Sequence, residues 1–381
     1  MLSRRFFLGA GGAAAAAASL PRMAFARANI GRRFVFVIQR GAADGLSILG
    51  PTGDPQYSAL RGDFDQDLGR GTKLGSFFIL HPALAETAKM YAAKQALFVH
   101  AVASPYRDRS HFDGQNVLET GGTSAYQLKD GWLNRLLGLL PAANSKALAL
   151  SDTVPMALRG SNQVSSYAPS KLAGPSEDLL QRVAAMYDGD TQLHALWGEA
   201  VATRMTAGNI DATGQNGAAI GDVAAKLLSG DSGARIAMIE TNGWDTHSAQ
   251  RGRLAAQLKN LDGILGALKS GLGADWANTL VIAATEFGRT VRPNGTGGTD
   301  HGEASVAMLF GGGVAGGQVI ADWPGLSNAA LYEGRDLKPT TALDSLIAGA
   351  VAQHYALEPA RVMSTLFPES RGAAFAQPLI V

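Results

Sequence analysis

Five segments of this 381-residue chain place acids, imidazoles or a hydroxyl beside short apolar runs. The most compact is NGWDTHSAQ, Asn242 to Gln250. There Trp244, Asp245 and His247 follow the run RIAMIE and precede a long helical pattern. An Asp and a His two apart at a strand mouth suit a divalent metal. They equally suit a helix start in which Asp245 or Thr246 is the cap and His247 is incidental. The other four segments are Asp44 in RGAADGLS, Ser110 and His111 in DRSHFDGQ, Glu286 after TLVIAAT, and Asp300-His301 in GTDHGE. Each alone is weak, since Asp-Gly at 44–45 reads first as a turn. What matters is whether the fold sends all five to one place.

The elements around them argue that it does. Phe34–Ile38, ALFVHAV, KALALS, RIAMIET, NTLVIAAT and ASVAMLF are short, apolar and strand-like. Helical spacing fills HPALAETAKMYAAK, DGQNVLETGG, GWLNRLLGLL, AAIGDVAAKLLSG, the stretch from Ser248 to Leu272, and TTALDSLIAGAVAQHYAL. Two more helices are expected in SEDLLQRVAAMYDG and LHALWGEAVATRM, and SNQVSSYAPSKLAGPS reads as loop. Alternating strands and helices imply an α/β fold, a three-layer α/β/α sandwich with a mostly parallel central sheet. In such sheets, ligands sit beyond the carboxyl ends of the strands. All five segments follow strands or lead into them at that edge. FGGGVAGGQ lacks the context of a phosphate-binding fingerprint and reads as a tight connection between strands. His100 is expected to be packed in its strand. His81, His194 and His354 are expected at the surface or half-buried, and Trp244 packed beside the strand end.

Composition narrows the chemistry. Hydrophobic content of 46% supports a large core, and a formal charge of +1 gives no field for nucleic acid. There is no cysteine, so any metal site must use imidazole and oxygen ligands. SRRFFLG, with Arg4 and Arg5, leads into an Ala/Gly-rich run and then AFA at 24–26, the pattern of a twin-arginine signal with a cleavage site. Residues 1–26 are therefore expected to be a leader and 27–381 one domain. The leader would engage the twin-arginine translocase, and the mature chain would be periplasmic or secreted and not integral to a membrane. Removing 1–26 takes away Arg4, Arg5 and Arg22 and no acid, which turns the charge from +1 to −2.

RGAADGLS, SHFDGQNVLETG, GWDTHSAQ, TEFGRT and GTDHGE together resemble the exported family catalogued as domain of unknown function 1501. The resemblance covers nearly all of the chain beyond the leader. It implies an alkaline-phosphatase-like fold, in a superfamily with sulfatases and cofactor-independent phosphoglycerate mutases. Residue by residue, it implies metal ligation by Asp44, Asp245, His247, Glu286 and His301. It places Ser110 or His111 at the nucleophile position, opening a helix that ends at Thr120-Gly121. Two departures stand out. The strand-end pair is Glu286-Phe287, so a histidine is missing there, and Asp245 and His247 are closer together than the superfamily pattern. A one-metal site of Asp245, His247 and His301 survives these departures best, with His111 available to replace the lost ligand.

The implied function is metal-dependent hydrolysis of a phosphate or sulfate ester, a small anionic substrate. Zinc is the first expectation for the divalent metal, with calcium, magnesium or manganese as alternatives. The metal would neutralise the ester's charge and activate a hydroxyl that is a poor nucleophile at neutral pH. Arg107, Arg109 and Arg289 fall at the same edge, where a guanidinium fork matches paired oxyanion oxygens. The competing expectation is a non-catalytic binding or scaffold protein of the cell envelope that keeps the fold. A dinucleotide-dependent oxidoreductase has no fingerprint to support it.

Overall fold

The computed structural model describes residues 31–141, 146–168, 177–187, 189–207 and 216–381. The expected leader, residues 1–26, lies outside them. The strands are β1 (Arg33–Gln39), β2 (Leu49–Gly50), β3 (Thr72–Leu74), β4 (Phe78–Leu80), β5 (Ala96–Ala103), β6 (Ala147–Leu150), β7 (Val164–Ser166), β8 (Ile236–Thr241), β9 (Thr279–Ala284), β10 (Ser305–Phe310), β11 (Gln318–Ile320) and β12 (Thr341–Ala342). A nine-stranded sheet runs β11-β5-β10-β9-β1-β8-β6-β7, with β12 pairing to β5. A small antiparallel sheet, β2-β4-β3, lies apart from it.

The large sheet is mostly parallel, as the strand–helix alternation requires. β1 pairs in parallel with β8 and β9, and β6 with β7 and β8. β10 alone is reversed, antiparallel to both β9 and β5. That reversal matters for function. The segment entering β10 starts at the edge where β1, β5, β8 and β9 finish, so residues before β10 join residues after the other strands.

The helices are α1 (Gly45–Ile48), α2 (Tyr57–Arg61), α3 (Ala85–Ala92), α4 (His111–Thr120), α5 (Trp132–Leu139), α6 (Glu177–Tyr187), α7 (Thr191–Ala207), α8 (Gly217–Leu228), α9 (Gln250–Leu272), α10 (Leu343–Tyr355) and α11 (Pro359–Leu366). Side chains alternate faces along a strand. Phe34, Phe36 and Ile38 therefore enter one core with α5, α10 and α11, while Val35 and Val37 enter another with α8 and α9. Two cores, one on each side of the sheet, make the three layers. Among the described residues, no helix is long and apolar enough to cross a membrane.

Some local expectations shift. Val164–Ser166, read as loop, forms the edge strand β7, because backbone pairing to β6 needs little from its side chains. The long helix starts at Gln250 instead of Ser248. Ala249 takes a left-handed conformation, φ 47°, and no side chain caps the helix. His100 and Trp244 are fully buried, as expected. His81 and His354 are buried too, against expectation. His354 faces inward from an almost wholly buried α10 and contacts the Arg33 carbonyl at 2.9 Å through Nε2. His194 lies in α7 and is exposed.

Candidate metal centre

The loops after β5 and β8 and the loop before β10 meet at the carboxyl edge of the sheet. His111 opens α4, Asp245 and His247 lie between β8 and α9, and His301 precedes β10. Ligand atoms of His111, Asp245 and His301 all fall within 4.8 Å of one another. Asp245 Oδ1 is the hub. It stands 3.5 Å from His111 Nε2, 3.1 Å from His247 Nε2 and 3.4 Å from His301 Nε2.

In all three imidazoles the other ring nitrogen is already occupied. His111 Nδ1 lies 2.9 Å from Glu286 Oε1, His247 Nδ1 3.1 Å from Asp300 Oδ1, and His301 Nδ1 2.8 Å from the Arg109 carbonyl oxygen. A carbonyl or an ionised carboxylate only accepts, so each Nδ1 carries the hydrogen. In the neutral ring, each Nε2 then presents a lone pair toward the hub. His111 Nε2 is buried and has no hydrogen-bond partner. Fixing one ring nitrogen so that the other faces a metal is how second partners orient histidine ligands.

The donor set fits a divalent metal. Four ligands at about 2.0–2.1 Å in a tetrahedron stand about 3.3 Å apart. Asp245 Oδ1 lies 3.1–3.5 Å from the three rings and the Nε2 atoms of His247 and His301 stand 2.9 Å apart, while the set whose ligand atoms all lie within 4.8 Å of one another is His111, Asp245 and His301. Three nitrogens and one oxygen suit zinc better than the oxygen-seeking calcium or magnesium.

Local charges agree with this arrangement. Burial opposes charging His111, but Glu286 and Asp245 outweigh it and raise its pKa. His301 is held low by burial, with His111 and Arg289 adding to the effect. Asp245 stays ionised against partial burial because Arg289 donates to it at 3.0 Å. Hydrogen bonds from Asn294 and His247 keep Asp300 low.

Two close backbone approaches close the loops onto each other. A Cβ on Gly298 would sit 2.2 Å from the His247 carbonyl carbon. Gly41, at φ 118°, would bring one within 2.5 Å of the Asp245 nitrogen. Only glycine permits either approach.

Several expected site residues are placed elsewhere. Asp44 lies outside the group formed by His111, Asp245 and His301. It is buried, caps α1 through Leu46 N, and pairs with Arg61 at 2.8 Å. Arg61 also pairs with Asp65 at 3.0 Å, and Asp44 receives Ser47 Oγ at 3.0 Å and Gln250 Nε2 at 2.5 Å. Burial alone would raise the Asp44 pKa, but Arg61 and these donors lower it. Arg61, Ser47 and Gln250 all fill Oδ2, while Oδ1 accepts from Leu46 N at 3.2 Å.

Glu286 stands behind His111 and supports it. It is fully buried and accepts from Gly41 N at 2.9 Å, Thr285 Oγ1 at 3.0 Å and Gln115 Nε2 at 3.1 Å, besides holding His111. These donors and His111 keep it ionised despite burial.

The arginines are committed as well. Arg109 bridges Glu303 at 3.1 Å, Glu333 at 2.7 Å and Asp336 at 2.8 Å. Arg289 is buried against Asp245, Thr299 and the Gly41 carbonyl. Arg107 donates through Nη1 to the Ser104 and Tyr106 carbonyls and lies 3.4 Å from Glu303 through Nε. Arg109 makes its pairs through Nη2, and its Nε is buried without a hydrogen-bond partner. Ser110 is the N-cap residue of α4, yet its side chain makes no cap bond. Its hydroxyl therefore stands next to His111 without serving the helix.

Residues outside the expected site also support it. Asp300 orients His247, Gln115 braces Glu286, and Gln250 links two of the metal-bearing loops. Gln115 sits four residues after His111, one helical turn on, which is the sequence signal that it shares His111's face.

The family model described as "Protein of unknown function (DUF1501)" matches residues 31–367. No curated protein matches the chain. Among solved structures it is similar to Ps i-CgsB in complex with k-i-k-neocarrahexaose, at 14% identity and TM-score 0.43, over 86% of this chain and 72% of that one. It is similar to the C-terminal periplasmic domain of EcEptC from Escherichia coli in complex with Zn, at 9% identity and TM-score 0.35, over 77% of each. A TAB5 alkaline phosphatase mutant with Mg bound matches at 15% identity and TM-score 0.35, over 76% of this chain and 93% of that one. Likenesses this distant carry no argument about chemistry.

Proposed function

This chain belongs to the DUF1501 family, and we propose that it is an exported hydrolase of phosphate or sulfate esters with one divalent metal, zinc first, held by His111, Asp245, His247 and His301. The observation that carries the reading is the orientation of three imidazoles. Each gives its Nδ1 hydrogen to an acceptor and aims Nε2 at one oxygen of Asp245. When bound, the cation supplies neutralisation of an ester's oxyanion and lowers the pKa of a hydroxyl beside it. Glu286, Asp300 and the Arg109 carbonyl keep the three rings in register. Arg289 holds Asp245 ionised. Ser110, uncommitted to the helix and next to His111, is a hydroxyl beside the cluster, and the first turn of α4 offers unpaired N–H groups to an anion.

The test is metal content together with turnover. Protein purified without chelator should hold one equivalent by elemental analysis, and aryl phosphate or aryl sulfate esters should be cleaved only in the loaded form. A wild-type protein that retains no metal ends this reading. Retention of one equivalent without cleavage of any ester would leave the envelope scaffold, a reading favoured by the commitment of Arg109 and Arg289 to internal partners.

A further inference from the structure

Two of the three loops that carry the cluster, bonded directly from Thr299 N to the Thr246 carbonyl at 3.2 Å, are also joined by one buried side chain. Gln250, the first residue of α9, is 1% exposed. Its Oε1 accepts from Thr246 Oγ1 at 2.8 Å and from Thr299 Oγ1 at 2.6 Å. Thr246 stands between Asp245 and His247, and Thr299 stands next to Asp300 and His301. The Nε2 end reaches Asp44 Oδ2 at 2.5 Å and Ser47 Oγ at 3.2 Å.

The direction of this chain is dictated by charge. Arg61 keeps Asp44 ionised and therefore accept-only. The amide must turn its NH2 toward Asp44, which leaves its oxygen toward the two loops. Both threonine hydroxyls then donate to that oxygen. Thr299 Oγ1 is also free to accept from Arg289 Nε at 3.0 Å, whose guanidinium holds Asp245. Arg61 anchors the base by donating to the Thr290 and Val291 carbonyls at 3.0 and 2.7 Å.

We propose that Gln250 is a positioning residue for the metal centre, and that Asp44 acts on the centre only through it. Asp44 sets the amide, the amide sets Thr246 and Thr299, and these fix the backbone on which Asp245, His247 and His301 converge. The inference rests on the one-metal reading above. Outer partners of this kind are worth about 10–100-fold in metal affinity.

Zinc dissociation constants, from competition with a chromophoric chelator, test it alongside thermal melts. Gln250→Met removes both polar ends at similar length and should weaken zinc binding about 10–100-fold. Gln250→Glu sets a carboxylate against Asp44 and should weaken it as much. Combining Gln250→Glu with Asp44→Asn reverses donor and acceptor, and should bring the affinity back to within about threefold of wild type, a small part of that 10–100-fold range. A merely structural role for Gln250 predicts lower melting temperatures without change in zinc affinity and without rescue. A folded Gln250→Met protein that binds zinc like wild type overturns the proposal. Should Gln250→Met not fold, Thr246→Val with Thr299→Val removes only the two hydroxyls. Unchanged zinc affinity in that pair overturns the proposal as well. If wild type binds no zinc, the metal reading itself falls and takes this one with it, a failure distinct from any variant result.

Discussion

The Nε2 atoms of His247 and His301 stand 2.9 Å apart while their Nδ1 atoms face Asp300 and the Arg109 carbonyl. Two lone pairs at that distance repel, so the contact is favourable only with a positive charge between or on the rings. A metal ion meets the requirement, and so does a proton. The two differ in what alanine does. His247→Ala or His301→Ala should weaken zinc binding by more than the 10–100-fold expected for an outer partner. Unchanged metal content in both variants would assign the contact to a proton.

Glu286→Gln tests the support under His111. A glutamine can present either its oxygen or its NH2 to Nδ1, and the latter reverses the tautomer and turns Nε2 into a donor. Metal affinity should fall about 10–100-fold. Nitrogen chemical shifts of the His111 ring in the metal-free protein should show the tautomer change. If they match wild type, Glu286 does not set it.

Acid stability should fall in a defined window. Burial pushes His100 down to about 4 and His354 down to about 3. The unfolded value is about 6.5. As pH falls below that, the unfolded chain takes up protons that the folded chain refuses, so stability is present above about 6.5 and is lost toward the folded values. His301 and His81 are shifted the same way and His111 the opposite way. His354→Gln isolates one contribution, since its amide can still donate to the Arg33 carbonyl. Its urea midpoint should drop less between pH 7 and pH 5 than that of wild type. Parallel curves would show that His354 charges in the fold.

Gly298→Ala should separate the two loops. Its Cβ would lie 2.2 Å from the His247 carbonyl carbon, and backbone must move to relieve that. A loss of about 1–3 kcal/mol is the usual cost of such overpacking, together with loss of metal. A variant with wild-type melting temperature and metal content would mean that the loops have slack.

Export is tested apart from the fold. Replacing Arg4 and Arg5 together with Lys should leave precursor in the cytoplasm. The mature chain should begin near Arg27, read by mass spectrometry. Undiminished delivery of the double variant would exclude the twin-arginine route.

Much of this was legible in the residues. Apolar runs at Phe34–Ile38, RIAMIET and NTLVIAAT can bury both faces only as inner strands, and β1, β8 and β9 are the centre of the sheet. The rule that ligands gather at carboxyl ends then drew Asp245, His247 and His301 to one edge from sequence order alone. What sequence order lacks is distance between side chains. Asp44 and Glu286 sit at the same edge, and their type suits a metal. Whether each reaches one depends on which cation or donor arrives first. Arg61 lies 2.8 Å from Asp44, and His111 lies 2.9 Å from Glu286. One carboxylate thus became an anchor and the other a brace. The same holds for Arg109 and Arg289, whose charge was legible and whose partners were not. Hydrophobic periodicity is local, so the chain itself determined the layers. The division between ligand and support is set by contacts such as Gln250 with Asp44, 206 positions apart, and only the packed tertiary structure decides those.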